Sequence, residues 1–269
     1  MYELLGYFSA IIIGVTLGLI GGGGSILTVP VLVYIIGISP VLATAYSLFI
    51  VGTSALVGAI KNAKKRNIDY KTGFVFALPS FIAVYYTRRV IVPAIPSEIF
   101  NFSISYAKDF VLYKDMAIML FFAFVMLLAA FSMIKGRKEN EGTKDKVFNY
   151  PLIIIEGLFV GAITGLVGAG GGFLIIPALV LLAGLPMKKA VGTSLMIIAI
   201  KSLIGFTGDL STGLNIDWIF LVSFTALSVL GIILGTYLTK FIEGAKLKNA
   251  FGFFVLFMAI TVIVKELVY

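Results

Sequence analysis

The feature that most limits the possible folds of this chain is a run of glycines in the middle of a long apolar stretch. This feature occurs twice. The first copy spans residues 18–30 and holds four consecutive glycines, Gly21–Gly24, and the second spans residues 165–177. A shift of 147 residues (165 − 18) superposes them. Six glycine or proline positions then coincide, with Gly14, Gly18, Gly21, Gly23, Gly24 and Pro30 falling on Gly161, Gly165, Gly168, Gly170, Gly171 and Pro177. The match predicts an internal repeat that divides the chain into two related halves.

The composition indicates where the two halves lie. Hydrophobic residues make up 60% of the 269 residues, and the mean hydropathy is +1.09, whereas a soluble domain is about 45–50% apolar. The charged residues, 13% of the chain, cluster between the apolar runs. We therefore predict an integral membrane protein. Its net charge of +8 is more typical of basic cytoplasmic loops than of a nucleic-acid partner.

Two residue types are absent from the sequence, and their absence limits the metal sites and the catalytic groups that the chain can form. The sequence has no cysteine and no histidine, so it lacks thiolate metal ligands, the usual general base and the usual transition-metal ligand. We expect no cofactor, no metal and no enzyme activity, since an enzyme would depend on an acid pair such as Glu156 with Asp209. A dinucleotide site at the glycines is not favoured, because no strand precedes either run. The first apolar run also lacks the basic region and cleavage site of a signal peptide.

The apolar segments follow one plan in both halves. The first run, at residues 4–37, is too long for one straight helix across a hydrocarbon core of about 30 Å, so we expect half-helices at 4–20 and 25–37. Further segments are expected at about 40–60, 71–91, 115–134, 150–184, 188–208, 216–239 and 249–267, with the second glycine break inside 150–184. This organisation predicts a first repeat at 1–134, a linker at 135–149 and a second repeat at 150–269.

Residues 92–114 differ from the other segments, since the second half has nothing equivalent. Prolines, charged residues and aromatic residues interleave in this region. The pattern predicts an excursion at the membrane interface, which is either a short amphipathic helix or an ordinary loop.

The basic residues favour one of two topologies. If each glycine-broken run crosses the membrane once, the halves are parallel, and Lys and Arg (Lys201, inside a segment, left out) divide 11 to 9 between the two sides. If each run enters and returns as a V, the halves are inverted and the division is 15 to 5. The larger bias is favoured, because basic residues concentrate on the cytoplasmic side. We predict an all-α polytopic membrane protein with two inverted repeats, each a glycine-broken re-entrant helix pair plus three spanning helices. The linker is then cytoplasmic, and both termini lie outside the plasma (inner) membrane.

The half-helices that follow the glycines are candidates for binding an anion. Their N-termini, near Gly24–Leu27 and Gly171–Leu174, offer free N–H groups and the positive end of a helix dipole. The candidate residues at these ends are Gly23, Gly24, Ser25, Gly170, Gly171 and Gly172. We expect Ser25 to cap the first of these helices. The alternative is that the glycines only allow close helix packing, as small residues do in membranes.

Hydroxyl groups near the starts of two spans are further candidates. Ser47 lies seven residues into its span, and its repeat counterpart is Ser194, which follows Thr193. These hydroxyls bind either a substrate oxygen or a neighbouring helix.

Lys201 is the most informative single residue, because it lies roughly 20 Å into its predicted helix at 1.5 Å per residue. A lysine within the membrane costs at least a few kcal/mol and by default marks a pathway or a site. An anionic substrate would offset that cost. The alternatives are that Lys201 extends to the interface or pairs with Glu156 or Asp209. Its repeat counterpart is Ser54.

The roles of three other polar residues are less clearly indicated by the sequence. Glu156 is a candidate for carrying a coupling proton, although its place near a helix start is equally consistent with an interfacial residue. Asp69 and Asp217, each in an Asn-Ile-Asp-aromatic sequence, are typical of helix caps.

The motifs together resemble the TauE/SafE sulfite exporter family, also called the 4-toluene sulfonate uptake permease family. The resemblance lies in the glycine-rich turns followed by Pro30 and Pro177, in the Gly-Thr-Ser sequence ending at Ser194, and in the paired Asn-Ile-Asp-aromatic sequences. It implies a permease for small sulfur-containing anions such as sulfite and sulfonates, including sulfoacetate and taurine, or for related carboxylates. The implied site comprises Gly23, Gly24, Ser25, Ser47, Gly170, Gly171, Gly172, Thr193, Ser194 and Lys201.

The expected function is therefore transport of a small anion across a lipid bilayer, by alternating access around a site near the midplane. Matching glycine-interrupted segments in two halves are the sequence feature that points to such a site. An anion channel of the same architecture is the alternative, and a structural or assembly factor is a further one. Whether the chain forms a homo-oligomer stays open.

Overall fold

The computed structural model describes residues 2–102, 110–135, 150–181, 183–238 and 244–268. The first half contains helices α1 (Tyr2–Ile20), α2 (Gly23–Ile36), α3 (Pro40–Lys64), α4 (Tyr70–Ala94) and α5 (Lys114–Ile134). The second half contains α6 (Tyr150–Val167), α7 (Gly172–Leu181), α8 (Met187–Leu210), α9 (Trp218–Leu238) and α10 (Gly244–Val268). Strands β1 (Glu98–Phe102) and β2 (Phe110–Tyr113) lie between α4 and α5. Apart from this hairpin, the described part of each half has the same order of elements.

Five helices of the described residues are long and apolar enough to cross a membrane. They are α3, α4, α5, α8 and α9, with 18 to 25 residues in each apolar span. Many large apolar side chains on their outer faces are exposed, for example Phe124 and Ile219, which suits contact with lipid rather than water. The chain is thus a helical, multi-pass membrane protein, as the composition predicts.

Local sequence sets where the helices begin. Pro40 occupies the first turn of α3, where its missing N–H costs nothing. Asp69 caps α4 through a hydrogen bond in which the Thr72 N–H donates to Oδ1 at 2.9 Å. Asp217 accepts from the Phe220 N–H in the same way, at 3.0 Å. The predicted capping role of the two aspartates is confirmed.

The segment between α4 and α5 differs from the amphipathic helix or loop that its composition suggested. It contains a two-stranded antiparallel hairpin in which Glu98 pairs with Tyr113 and Phe102 with Phe110. Helix α4 ends where Ile95 becomes extended before Pro96, and the β-branched and aromatic residues beyond favour strands. Residues 103–109 lie outside the described residues, as does the predicted linker beyond Lys135.

Each of the main contacts between helices of the two halves has an equivalent contact. Helix α1 of the first half packs on α9 of the second, and α6 of the second half packs on α4 of the first. Here α6 is the repeat counterpart of α1, and α4 is that of α9. Helix α3 packs on its own counterpart α8, and α5 packs on α10. The α4–α8 contact likewise mirrors the α9–α3 contact. The packing therefore has an approximate two-fold relation between the halves, as an internal repeat requires.

The directions of the paired helices follow from the residues that meet. In the α3–α8 pair, Leu48 lies against Gly205 and Gly58 against Leu195, so these equivalent helices run antiparallel. In the α1–α9 pair, Gly14 meets Ser228 while Gly18 meets Gly235, so these helices run parallel, and α4 and α6 do likewise.

Glycines allow the helices of the two parallel pairs to pack closely against each other. A methyl group added at Gly14 would lie 2.0 Å from the carbonyl oxygen of Ser228, and one at Gly161 would lie 2.4 Å from that of Ser80. Methyl groups added at Gly18 and Gly165 would lie 2.7 Å from the Ile232 carbonyl oxygen of α9 and 2.6 Å from the Thr87 side chain of α4. These four repeat-matched glycines thus allow close helix packing, as small residues do in membranes.

Helices α1 and α2 form a hairpin around the first glycine run. A methyl group added at Gly6, near the start of α1, would lie 1.9 Å from the side chain of Ile36 at the end of α2. The chain therefore reverses direction at Gly21–Gly24. The predicted division of the first apolar run into two half-helices agrees with the observed elements.

Candidate functional site

The glycine turns of the two halves meet inside the bundle. A methyl group added at Gly172 would lie 2.4 Å from the Cα of Gly22, and one at Gly170 would lie 3.3 Å from the Ser25 hydroxyl. All four residues are buried. The turn after α1 and the turn after α6 thus contact each other through backbone, with no large side chain between them.

The geometry of both turns depends on glycine. Five glycines adopt positive φ angles, namely Gly21 (69°), Gly22 (128°), Gly168 (71°), Gly170 (65°) and Gly171 (65°). A residue with a Cβ is strained in this region. The clustering of glycines therefore has a conformational cause in addition to the close approach of the two turns.

Ser25 does not cap α2, contrary to expectation. Helix α2 starts with a 3₁₀ segment, Gly23–Leu27, and Gly22 at its N-cap makes no side-chain capping bond. The Ser25 hydroxyl instead donates to the Gly22 carbonyl oxygen at 2.6 Å, because the tight 3₁₀ turn brings that oxygen within reach. In the second half, α7 starts at Gly172, and the Gly171 carbonyl accepts from Leu174 and Ile175.

Several N–H groups at these two helix starts are unpaired. Within the described residues, no recorded hydrogen bond uses the backbone N–H of Gly23, Gly24, Gly172 or Phe173. The first N–H groups of a helix have no acceptor of their own, and here the surroundings supply none. The turns therefore present free donors in a buried place, as an anion site requires.

The equivalent serines Ser194 and Ser47 make different bonds. Ser194 donates to the Gly21 carbonyl oxygen at 2.5 Å and so ties α8 to the first turn. Ser47, in α3, is fully buried, and its hydroxyl has no hydrogen-bond partner among the residues that the structure describes. The expected contact between a hydroxyl and a neighbouring helix or turn is realised at Ser194, whereas Ser47 is left with an unused donor.

Thr193 contacts the start of α4. Its hydroxyl accepts from the Asp69 N–H at 2.9 Å. At the equivalent place in the other half, the Tyr46 hydroxyl accepts from the Asp217 N–H at 2.6 Å. The two bonds serve the same purpose, since each holds the start of a helix in the other half. Substrate contact by Thr193 stays a prediction.

Lys201 lies beside the second turn. Its side chain is 0% exposed, so it does not extend to the interface. The ammonium group donates to the Thr164 hydroxyl at 2.9 Å, and a methyl group added at Gly171 would lie 2.8 Å from Nζ. No carboxylate in the described part of the chain forms a salt bridge with Lys201, so neither Glu156 nor Asp209 is its partner. Its counterpart Ser54 bonds to Ser228 instead.

Asp209 pairs with Arg88, which lies near the end of the predicted segment 71–91 and was counted with the basic residues of the loops. The Arg88 Nε lies 2.7 Å from Asp209 Oδ2, and both side chains are buried. The apolar run of residues 90–95 after Arg88 is the signal that this helix continues beyond the predicted end at residue 91. Arg88 belongs to α4, and it was missed because a basic residue near a segment end is more often a loop residue.

Glu156 lies on α6 away from these contacts. It is partly buried, and its Oε2 atom has no hydrogen-bond partner in the described structure. Eight residues of helix, about 12 Å at the standard rise, separate it from Thr164. The structure therefore does not bring Glu156 to Lys201, and its proposed coupling role stays a prediction.

Comparison with known proteins identifies the chain. The model of the family described as Sulfite exporter TauE/SafE matches residues 7–262. A Probable membrane transporter protein of Xylella fastidiosa is 29% identical over 264 residues, covering 94% of this chain and 91% of its own.

Two further relatives carry the same description. Probable membrane transporter protein YunE of Bacillus subtilis is 27% identical, with 78% of each chain covered. A Probable membrane transporter protein of Haemophilus influenzae is 26% identical, with 94% of each chain covered. No solved structure matches the chain. These relatives are named as transporters rather than enzymes, and the family match spans nearly the whole sequence: the chain is a membrane transporter belonging to the TauE/SafE sulfite exporter family.

Proposed function

We propose that this transporter carries small sulfur-containing or organic anions, such as sulfite or sulfonates, through a site where its two glycine turns meet. The observation that carries the proposal is Lys201, whose amine is fully buried beside Gly171 and has no carboxylate partner in the described structure. A buried charge without a counterion is costly, and an anionic substrate supplies the missing charge. The free N–H groups of the two turns add donors at the same place.

The remaining candidate residues act around this centre. Gly23, Gly24 and Ser25 line the first turn, and Gly170, Gly171 and Gly172 line the second. Ser47 offers its unused hydroxyl, while Thr193 and Ser194 hold the surrounding elements. Glu156 is our candidate for carrying a coupling proton, because its buried carboxylate oxygen has no partner.

The two repeats (1–134 and 150–269, joined by the 135–149 linker) have opposite orientations in this proposal. The antiparallel α3–α8 pair supports it, since equivalent helices run in opposite directions in inverted repeats and in the same direction in parallel ones. The chain reversal at Gly21–Gly24 supports a re-entrant hairpin, because irregular backbone at membrane depth is tolerated only inside protein or a polar cavity. The basic loops then face the cytoplasm and both termini face outward from the plasma membrane.

Alternating access is favoured over a channel by the burial of the site. Gly21–Gly24, Gly168–Gly172 and Lys201 are all buried, so the proposed site is closed to both faces in this conformation. Substrate then enters only when one side opens. A carrier of this kind saturates and shows counterflow, whereas an anion channel shows neither.

The test compares Lys201→Ala with Lys189→Ala in proteoliposomes. Lys189 is an exposed lysine in the first turn of the same helix. We expect Lys201→Ala to lower the apparent affinity for sulfite roughly tenfold or more, because a charged hydrogen bond contributes about 1.5–3 kcal/mol. Lys189→Ala leaves the affinity unchanged. Equal sulfite affinity in Lys201→Ala and the wild type, with both proteins folded, would remove Lys201 from the site and with it the proposal.

A further inference from the structure

Arg88 makes more contacts than a simple ion pair needs. Besides Asp209, its Nη1 donates to the Thr44 hydroxyl at 3.0 Å and to the Gly165 carbonyl oxygen at 3.2 Å. Thr44 belongs to α3 and Gly165 to the end of α6, directly before the second glycine turn. The guanidinium therefore lies between α3, α4, α8 and that turn, inside the bundle.

The two buried cations hold adjacent residues of one helix end. Lys201 donates to the side chain of Thr164, and Arg88 donates to the backbone of Gly165. Asp209 neutralises the charge of Arg88, so with Lys201 protonated the three residues together carry one uncompensated positive charge. A single monovalent anion would balance the group.

Two buried donors, one on α3 and one on α4, have no acceptor among the described residues. They are Nη2 of Arg88 and the hydroxyl of Ser47, both fully buried. Leaving such a group unpaired costs about 1–3 kcal/mol, and more when it is charged. Arg88 bonds to Thr44, and Ser47 follows Thr44 by three residues on the same face of α3. Thr44 itself lies against Gly168 of the turn. Ser47 therefore lies one helical turn from the residue that contacts both Arg88 and the second glycine turn.

The repeat has no equivalent of this ion pair in the other half. By the repeat offsets of 147 residues before residue 67 and 148 after it, the positions equivalent to Asp209 and Arg88 are Asn62 and Thr236. Asn62 packs near Gly192, and the backbone of Thr236 lies against Gly18, the counterpart of Gly165. The equivalent positions of the other half thus carry no charge, and the charges at Arg88 and Asp209 are specific to one side of the repeat.

We propose that Arg88 is a second anion-contacting residue of this transporter, and that Asp209 holds its guanidinium while no anion is bound. The arriving anion accepts from Nη2 of Arg88 and from the Ser47 hydroxyl as the surrounding helices separate. An oxyanion with at least two oxygen atoms fits this pair of donors, because one oxygen accepts a charge-assisted bond from Nη2 and another accepts from the Ser47 hydroxyl. The inference rests on the proposed function, since it adds a contact to the same anion site.

The first test uses Arg88→Lys, with Arg89→Lys as the matched control. Lysine keeps the charge and still pairs with Asp209, but it lacks the second donor arm. Arg89 is the neighbouring arginine, which is exposed and bonds to Tyr85. With purified full-length protein and sulfite as the probe, we expect Arg88→Lys to raise the apparent dissociation constant about tenfold. Arg89→Lys leaves it unchanged.

The second test uses Asp209→Asn, which removes the competing charge from Arg88. Sulfite should then bind more tightly than to the wild type and raise the melting temperature of the variant more. Sodium chloride at equal ionic strength should not reproduce this effect. An equal effect of chloride would indicate charge screening alone and would overturn the inference.

The outcomes separate this inference from the proposed function. If sulfite does not shift the melting temperature of the wild type, both are wrong. If it shifts the wild type and Lys201→Ala weakens binding, while Arg88→Lys lowers only the melting temperature, Arg88 is a structural ion-pair residue and this inference alone is overturned. If Asp209→Asn does not fold, the comparison of Arg88→Lys with Arg89→Lys alone decides whether Arg88 contacts the anion.

Discussion

The backbone of Gly22 lies directly against the backbone of Gly172, and this contact joins the two halves of the transporter. Each residue sits at the start of a short helix, with α2 beginning after Gly22 and α7 beginning at Gly172. Because neither residue has a side chain, the two helix starts approach more closely than any other pair of residue types would allow. The distance between the proposed anion donors of the two halves is set here.

A methyl group at this contact should damage the protein more than the same change elsewhere in the hairpin. We expect Gly22→Ala to lower the melting temperature and abolish sulfite uptake, because the added atom would lie 2.8 Å from the Cα of Gly172. Overpacking of this kind costs roughly 1–3 kcal/mol, on top of the conformational strain.

The control for this prediction is Gly37→Ala. Gly37 also has a positive φ, 86°, but nothing lies within 4 Å of the added methyl group. Gly37→Ala should therefore destabilise the protein only through the strained backbone conformation, by about 1 kcal/mol. Its sulfite uptake should be unchanged. Thermal denaturation in detergent and uptake in proteoliposomes measure both variants, and equal losses would show that the backbone contact is unimportant.

The serine pair offers a comparison within one protein. Ser194→Ala removes a hydrogen bond to the Gly21 carbonyl, so we expect a stability loss of about 1–3 kcal/mol and a lower melting temperature. Ser47→Ala removes a buried hydroxyl without a partner, so the melting temperature should stay the same or rise. Sulfite binding should weaken in Ser47→Ala, because the unused donor is lost. A melting temperature that falls equally in both variants would contradict the assignment of Ser47 as a substrate contact.

The orientation of the halves is testable with single cysteines, since the chain has none of its own. Inverted repeats predict that Lys64→Cys and Lys189→Cys react with a membrane-impermeant maleimide from the cytoplasmic side. Ser97→Cys and Thr212→Cys should react from the opposite side. Labelling of positions 64 and 189 from different sides would mean that the repeats are parallel.

Much of the fold follows from patterns that persist over many residues. Long apolar runs and the glycine breaks indicate the helices, since a membrane requires about 20 apolar residues per span. The repeat offset predicts which elements are equivalent, and the aspartate caps follow from short sequences. These features depend on local sequence or on regular spacing, which one chain displays without its structure.

Contacts between distant elements were less accessible to prediction. Arg88 looks like a loop residue because its partner, Asp209, lies on another helix 121 residues away. Ser25 looks like a cap because sequence does not reveal that α2 begins as a 3₁₀ helix. The hairpin between α4 and α5 was missed because alternating apolar residues at an interface suit either a short helix or two strands. In each case the deciding partner is fixed only by tertiary packing.

The ion pair between Arg88 and Asp209 makes the two halves of the chain different from each other. A dimer of two identical subunits would carry that pair twice or not at all, because symmetry copies every residue. Joining the halves in one polypeptide lets them differ, so that one half holds a buried ion pair where the other has Asn62 and Thr236. A single chain can therefore combine a nearly symmetric arrangement of helices with an asymmetric distribution of charge.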